Sequence, residues 1–190
     1  RMLLIQRSRI AKKASAKVDL AVRILNDEFQ EGQSWLVYCE DSEQLADVVS
    51  GLRMHGMESI EYHSNMLGDR DSTMEWFHKF GGILVSIKCL DEGVDIPKVS
   101  HALILASSQN PRQFIQRRGR VLRTYPGKNM AEIHDAVVKP VNSGDEPEQL
   151  GLLRGELIRA IEFAGGAMNK SAGAELRGIA MEMGIDLDDL

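Results

Sequence analysis

Three short apolar runs, each followed by a polar loop and a helical stretch, limit what this chain can fold into more than any other feature. Trp35-Leu36-Val37-Tyr38-Cys39, Ile83-Leu84-Val85-Ser86-Ile87 and Ala102-Leu103-Ile104-Leu105-Ala106 are rich in β-formers and almost continuously apolar. A strand covered on both faces reads this way, whereas a half-exposed strand alternates. Weaker strands are expected at Ile60–His63 and Ala131–Val138. Between them the apolar period changes to that of a helix. The first helical stretch covers residues 8–30, with Ile10, Val18, Ala21, Val22, Leu25 and Phe29 as its stripe, and Glu31-Gly32-Gln33 ends it. The second opens at Asp41 or Ser42, either of which can cap it, carries Leu45, Val48, Val49 and Leu52 inward, and stops at Gly56. The third covers Gly68–Phe80 with Met74, Trp76 and Phe77, before Gly81-Gly82 turns into the next strand.

Strand and helix in alternation imply an α/β fold, a mostly parallel sheet with helices on both faces. Ligands of such sheets gather at the carboxyl ends of the strands. The segments to inspect are therefore Glu40-Asp41, His63-Ser64, Lys88–Asp95 and Ser107–Asn110. Pro140–Pro147 has the composition of a linker. Two amphipathic helices, about 148–164 and 171–184, follow it, with Leu152, Leu153, Leu157, Ile158 and Ile161 on one side. The expected organisation is a helical lead-in over 1–32, the α/β domain over 33–139, a linker over 140–147 and an acidic helical extension over 148–190.

Charge divides along the same lines. The net charge of −5 arises in the tail, where residues 145–190 hold ten acids against four bases. Residues 1–23 hold seven bases and one acid. The overall balance excludes a nonspecific basic binder and leaves room for a local phosphate-tracking surface. Cys39 and Cys89 both lie in apolar runs without ligand spacing, so reduced core cysteines are expected rather than a disulfide. No run is long enough to span a bilayer and the N-terminus has no signal-peptide pattern, which points to a cytoplasmic chain without a membrane partner. The first residue is Arg1, as in a piece of a longer protein. His63 has no partner at ligand spacing, and His55, His78, His101 and His134 read as scattered surface or strand residues, so no metal site is expected.

The stretch Gln113–Arg123 carries the chemistry. Five arginines fall between Arg112 and Arg123 without an acid among them, and Pro111 sits where a first helical turn tolerates proline. On a helix, Phe114, Ile115, Val121 and Leu122 share one buried stripe, while Arg117, Arg120 and Arg123 recur every third residue on another face. Guanidiniums so placed repel one another unless an anion sits opposite, and their donor forks match phosphate oxygens. A solvated basic face is the alternative. Cys89-Leu90-Asp91-Glu92-Gly93-Val94-Asp95-Ile96-Pro97 follows a strand directly, so Gly93 allows close backbone approach and Asp95 can accept from ribose hydroxyls or cap a turn. His63-Ser64 offers a hydroxyl and backbone amides to a nucleic-acid phosphate.

In order and spacing, Leu36–Asp41, His63-Ser64, Ile83–Pro97 and Gln113–Arg123 resemble the second, C-terminal RecA-like lobe of superfamily 2 helicases of DEAD/DEAH type, close to the restriction-type DNA translocases. The resemblance covers about residues 33–138, and its most specific parts are Gln-Arg-x-Gly-Arg-x-x-Arg and Asp-Glu-Gly-Val-Asp-Ile-Pro. It implies the C-terminal motor lobe of an ATP-dependent helicase or translocase. Gln116 would lie near the γ-phosphate. Arg120 and Arg123 would be arginine fingers. Arg117 would orient the site through carboxylates of the other lobe, and Gly93 with Asp95 would meet the ribose. Ser64 and Ser86 would touch the nucleic-acid backbone. Two departures are Ile87, where many relatives carry Thr, and Val121-Leu122, where others often place a glycine before the last arginine.

The sequence contains no Gly-x-x-x-x-Gly-Lys-Ser/Thr loop and no Asp-Glu pair placed to hold Mg²⁺. ATP and Mg²⁺ are therefore expected to be bound mainly by an N-terminal lobe of the same protein, with DNA the favoured nucleic acid and the isolated chain inactive. The competing expectations are a non-catalytic RecA-like binding module and a lobe of a sugar-nucleotide transferase, which shares the sheet but leaves the arginine spacing unexplained.

Overall fold

The computed structural model describes residues 13–87, 98–106, 119, 121, 123–139 and 147–187. In chain order these form α1 (Ser15–Glu28), β1 (Ser34–Tyr38), α2 (Ser42–Met54), β2 (Ile60–Tyr62), α3 (Arg70–Phe80), β3 (Gly82–Ser86), β4 (His101–Ile104), β5 (Glu132–Asp135), α4 (Pro147–Gly165) and α5 (Ser171–Glu182). Two compact units result, one running from Lys12 to Ala136 and one holding Val137 onward.

The first unit is built on a five-stranded sheet of order β2-β3-β1-β4-β5, with every neighbouring pair parallel. The register aligns Trp35 with Ile83 on one side and with His101 on the other, and His101 in turn with Glu132. Successive side chains of a strand point to opposite faces, and the core divides accordingly. Trp35, Val37, Cys39, Ile83, Val85, Leu103 and Leu105 pack with Ala21, Val22 and Leu25 of α1 and Leu45, Val48 and Leu52 of α2. Leu36, Tyr38, Leu84, Ala102 and Ile104 pack on the other face with Tyr62, Met74 and Phe77 of α3, Val99 and Val121. The central strand β1 is buried along its whole length, which explains its unbroken apolar reading. The edge strands β2 and β5 are mostly less covered.

Local chemistry sets the element boundaries. Asp41 caps α2, its carboxylate accepting from the Gln44 N–H at 3.1 Å. α3 begins at Arg70 rather than Gly68 because the Asp69 side chain accepts from the Ser72 N–H at 2.8 Å and thereby becomes the cap. Gly81 ends α3 at φ 75° and ψ −148°, and Gly82 starts β3 by donating to the Gln33 carbonyl at 2.8 Å. β4 ends at Ile104, short of the expected run to Ala106. The Leu105 and Ala106 N–H groups both turn to the Tyr38 carbonyl, at 3.0 and 3.3 Å, although both side chains stay buried. β5 occupies four residues of the Ala131–Val138 stretch. α1 packs into the main core beside α2.

In the second unit, Leu153, Leu157 and Ile161 of α4 bury against Ala180, with Leu176, Ile179, Met183, Ile185, Leu187 and Val137 around them. Arg159 and Glu156, one turn apart and both buried, pair at 3.1 Å. α4 starts at Pro147, where the missing amide proton costs nothing. No helix among the described residues is long and apolar enough to cross a membrane.

Candidate functional site

Because all the strand pairs are parallel, the segments leaving β1, β2, β3 and β4 emerge at one edge of the sheet. The ends of β1, β3 and β4 are cross-tied there. Cys39 N–H donates to the Ser86 carbonyl at 2.8 Å, and Leu105 N–H reaches back to Tyr38. Lys17 of α1, which is buried, extends its ammonium to the Leu105 carbonyl at 2.7 Å. The Gln44 side-chain carbonyl accepts from the Glu40 N–H at 2.8 Å, closing the turn after β1. Lys13 bridges Asp41 at 3.0 Å and also bonds Glu43. Desolvation opposes ionisation of Asp41, but the Gln44 amide and Lys13 prevail and hold its carboxyl below the usual range. The Cys39 thiol is buried and pushed far above its ordinary value by desolvation, so it is an inert core group as expected.

Ser64 lies exposed in the turn after β2, where Met66 N–H closes on the His63 carbonyl at 3.2 Å and Asn65 N–H donates to the His63 ring at 3.3 Å. Ser86 differs. It terminates β3 with no exposure, and its hydroxyl donates to the Val37 carbonyl at 3.4 Å. Its hydroxyl is turned back to β1 rather than to the loop that follows.

Of the arginine stretch, Gly119 and Val121 are helical, Val121 is buried against the α3 face of the sheet, and Arg123 is exposed. The inward half of the proposed stripe is thus seen at Val121. Lys128 bonds the carbonyls of both Val121 and Arg123, the latter at 3.0 Å, so an ammonium closes the end of this segment. Desolvation lowers the Lys128 pKa. The turn that presents Lys128 is closed by its own N–H on the Tyr125 carbonyl at 2.9 Å. Lys98 lies 5.5 Å from the centre of the Tyr125 ring and donates to the His78 carbonyl near the end of α3 at 2.8 Å. Sequence reasoning missed Lys17 and Lys128. Lys17 looked like one more base on a basic helix, whereas Lys128, a cation just past a helix end, carried a readable signal. Gly93, Asp95, Gln116, Arg117 and Arg120 lie outside the described residues, as do Cys89 and the rest of the loop after β3.

Residues 16–125 match the helicase conserved C-terminal domain. The chain belongs to that family. Its parallel sheet covered by helices is the RecA-like fold expected from the sequence. The domain is 28% identical over 124 residues to a protein of Methanocaldococcus jannaschii whose assignment as an ATP-dependent RNA helicase is itself provisional, 61% of this chain and 16% of that protein. It is 37% identical over 59 residues to a DNA 3′-5′ translocase of Sulfurisphaera tokodaii, 29% of this chain and 13% of that one. A DEAD-box ATP-dependent RNA helicase of Arabidopsis thaliana is 26% identical over 110 residues, 57% and 19% of the two chains. This helicase domain therefore spans less than a fifth of the curated relatives it matches. Among solved structures, the C-terminal domain of the DEAD-box protein Dbp5 aligns with TM-score 0.58 at 18% identity, over 90% of this chain and 93% of that one. T4 UvsW aligns with TM-score 0.60 at 12% identity, over 84% and 34%.

Proposed function

We propose that this domain is the C-terminal motor lobe of an ATP-dependent nucleic-acid helicase or translocase, and that it completes an ATP site shared with an N-terminal RecA-like lobe of the same protein. The observation that carries the proposal is an exposed arginine, Arg123, at the end of an arginine-rich segment whose Val121 is sunk into the core and whose final carbonyls are held by Lys128. Packing on one side and an ammonium on the other fix the backbone from which Arg123 projects, and a fixed base is what a group acting across a cleft requires.

The donor set fits half of such a site. Arg120 and Arg123 supply positive charge to a γ-phosphate, Gln116 lies beside it, Gly93 and Asp95 meet the ribose, and Arg117 engages carboxylates of the opposite lobe. The sequence has no phosphate-cradling glycine-lysine loop of its own, so ATP with Mg²⁺ is held mainly by the partner lobe and this domain alone is inactive. When bound, Mg²⁺ neutralises charge on the phosphates; the part left to this chain is to place arginines against the charge that develops during transfer. Ser64, exposed after β2, contacts the nucleic-acid backbone, and Ser86 acts structurally by tying β3 to β1. Contacts of this kind track a strand without reading bases. DNA is the substrate we favour, supported by the stretch 37% identical to a DNA translocase, although two other relatives are named as RNA helicases.

The test is ATP hydrolysis by the full-length protein, with no nucleic acid, with DNA and with RNA, for wild type and Arg120→Ala. The expected result is stimulation by DNA and a loss of at least about a thousandfold in turnover for the variant, the scale of an arginine finger. Normal turnover in Arg120→Ala defeats the finger assignment. Absence of hydrolysis by wild type under every condition favours a RecA-like binding module.

A further inference from the structure

Opposite the edge where the loops emerge, the amino ends of β4 and β5 carry a group of side chains that the nucleotide site does not use. On the α1/α2 face, the Trp35 ring stacks with His101 at 4.5 Å and 7° and with His134 at 5.5 Å and 20°. The Glu132 carboxylate spans the two imidazoles, one oxygen 3.7 Å from His101 Nε2 and the other 3.6 Å from His134 Nε2. Glu28, the last residue of α1, brings an oxygen to 3.3 Å from His134 Nε2. That nitrogen is buried and makes no hydrogen bond. The sequence reading treated both histidines as scattered, because Glu28, His101 and Glu132 lie far apart in the chain and only the sheet register sets them together.

We propose that Glu28, Glu132 and His134 form a binding site for a divalent transition-metal ion of the zinc class. One ligand atom from each of the three lies within 4.8 Å of the other two. Metal–ligand bonds of about 2.0–2.2 Å at tetrahedral angles separate ligand atoms by roughly 3.3–3.5 Å. The separations of 3.3 and 3.6 Å around His134 Nε2 bracket that spacing. They are too long for good hydrogen bonds, which would bring a nitrogen and a carboxylate oxygen to about 2.7–2.9 Å. A cation between the three groups would satisfy the orphaned nitrogen and two neighbouring carboxylates at once, and among the described residues no lysine or arginine pairs with Glu28 or Glu132. The imidazole selects against Mg²⁺ and Ca²⁺, which prefer oxygen throughout, in favour of zinc-like ions. The His101 ring is oriented by a 2.8 Å bond between its Nδ1 and Ser100 Oγ, which turns Nε2 toward Glu132 as an outer partner of a ligating carboxylate would be turned. The fourth position stays open to water. Such an ion would join the edge strand β5 to the end of α1, on a surface remote from the strand ends where ATP is proposed to bind.

The test uses the full-length protein without an affinity tag, titrated calorimetrically with Zn²⁺ alone and melted with and without it, for wild type, Glu28→Gln and His134→Gln. Glu28 terminates an exposed helix end, so its amide variant keeps the fold even if His134→Gln does not. One zinc ion should bind wild type at this site and raise its melting temperature. Glu28→Gln should weaken that binding by more than about a hundredfold, beyond the loss of a merely orienting partner. Mg²⁺ should produce no shift. Wild type that takes up no zinc, or a Glu28→Gln variant that binds zinc and is stabilised by it as wild type is, overturns the proposal. The outcome is independent of ATP hydrolysis.

Discussion

Gly81→Ala should destabilise the helicase unit far more than its place at a helix end suggests. Two costs add. Gly81 has φ 75° and ψ −148°, a region almost reserved to glycine, where a side chain costs about 1–3 kcal/mol. A Cβ there would also stand 2.7 Å from the Gln33 carbonyl oxygen and 3.1 Å from Ser34 Oγ. That carbonyl cannot simply retreat, because it accepts the Gly82 N–H at 2.8 Å and leads into the Ser34–Gly82 pairing that sets β1 against β3. Relieving such an overlap costs a further ~1–3 kcal/mol. The sum is about 2–6 kcal/mol, a large part of the 5–15 kcal/mol that typically separates folded from unfolded. Gly56→Ala is the matched control, with φ 73° but no atom within 4 Å of its Cβ, so only the conformational cost of about 1–2 kcal/mol remains. Urea unfolding followed by the fluorescence of the buried Trp35 measures both variants. A difference of ~2 kcal/mol between them is expected; equal losses would show that the carbonyl contact contributes nothing and that the argument from close approach is wrong.

Two further substitutions test the supports of the site. Lys128→Met removes the ammonium from the Val121 and Arg123 carbonyls; stability should fall by about 1–2 kcal/mol in urea, and on the motor-lobe proposal turnover at saturating nucleic acid should fall as well, with Lys128→Arg recovering part of it. Unchanged turnover in Lys128→Met would mean that Arg123 needs no such anchor. Asp41→Ala removes the cap of α2 and should cost about 0.5–2 kcal/mol near neutral pH. The Asp41 carboxyl titrates below its unfolded value, so its contribution is complete above the ordinary aspartate range and is lost as pH falls through the folded value. The gap between wild type and Asp41→Ala should therefore close in acid, and a gap that persists below that range would rule out the charged cap.

The alternation of buried strands and amphipathic helices was legible because parallel strands covered on both faces must be apolar throughout, and β1 and β3 fall within one residue of their expected bounds. The family resemblance was legible for a related reason, since it rests on short runs of particular side chains in a fixed order, and residues 16–125 match the helicase conserved C-terminal domain. The sequence therefore determined on its own the fold class and the family. It could not show that Ser86 turns its hydroxyl inward, because one position more or less along a strand end decides between core and loop. Nor could it show that Lys17 crosses to the Leu105 carbonyl or that Lys128 closes the arginine segment. The grouping of Glu28, Glu132, His101 and His134 around Trp35 depended wholly on which strands became neighbours. Local pattern follows from the period of each element, but contacts between distant residues follow from strand order and register, and those exist only once the whole sheet has assembled.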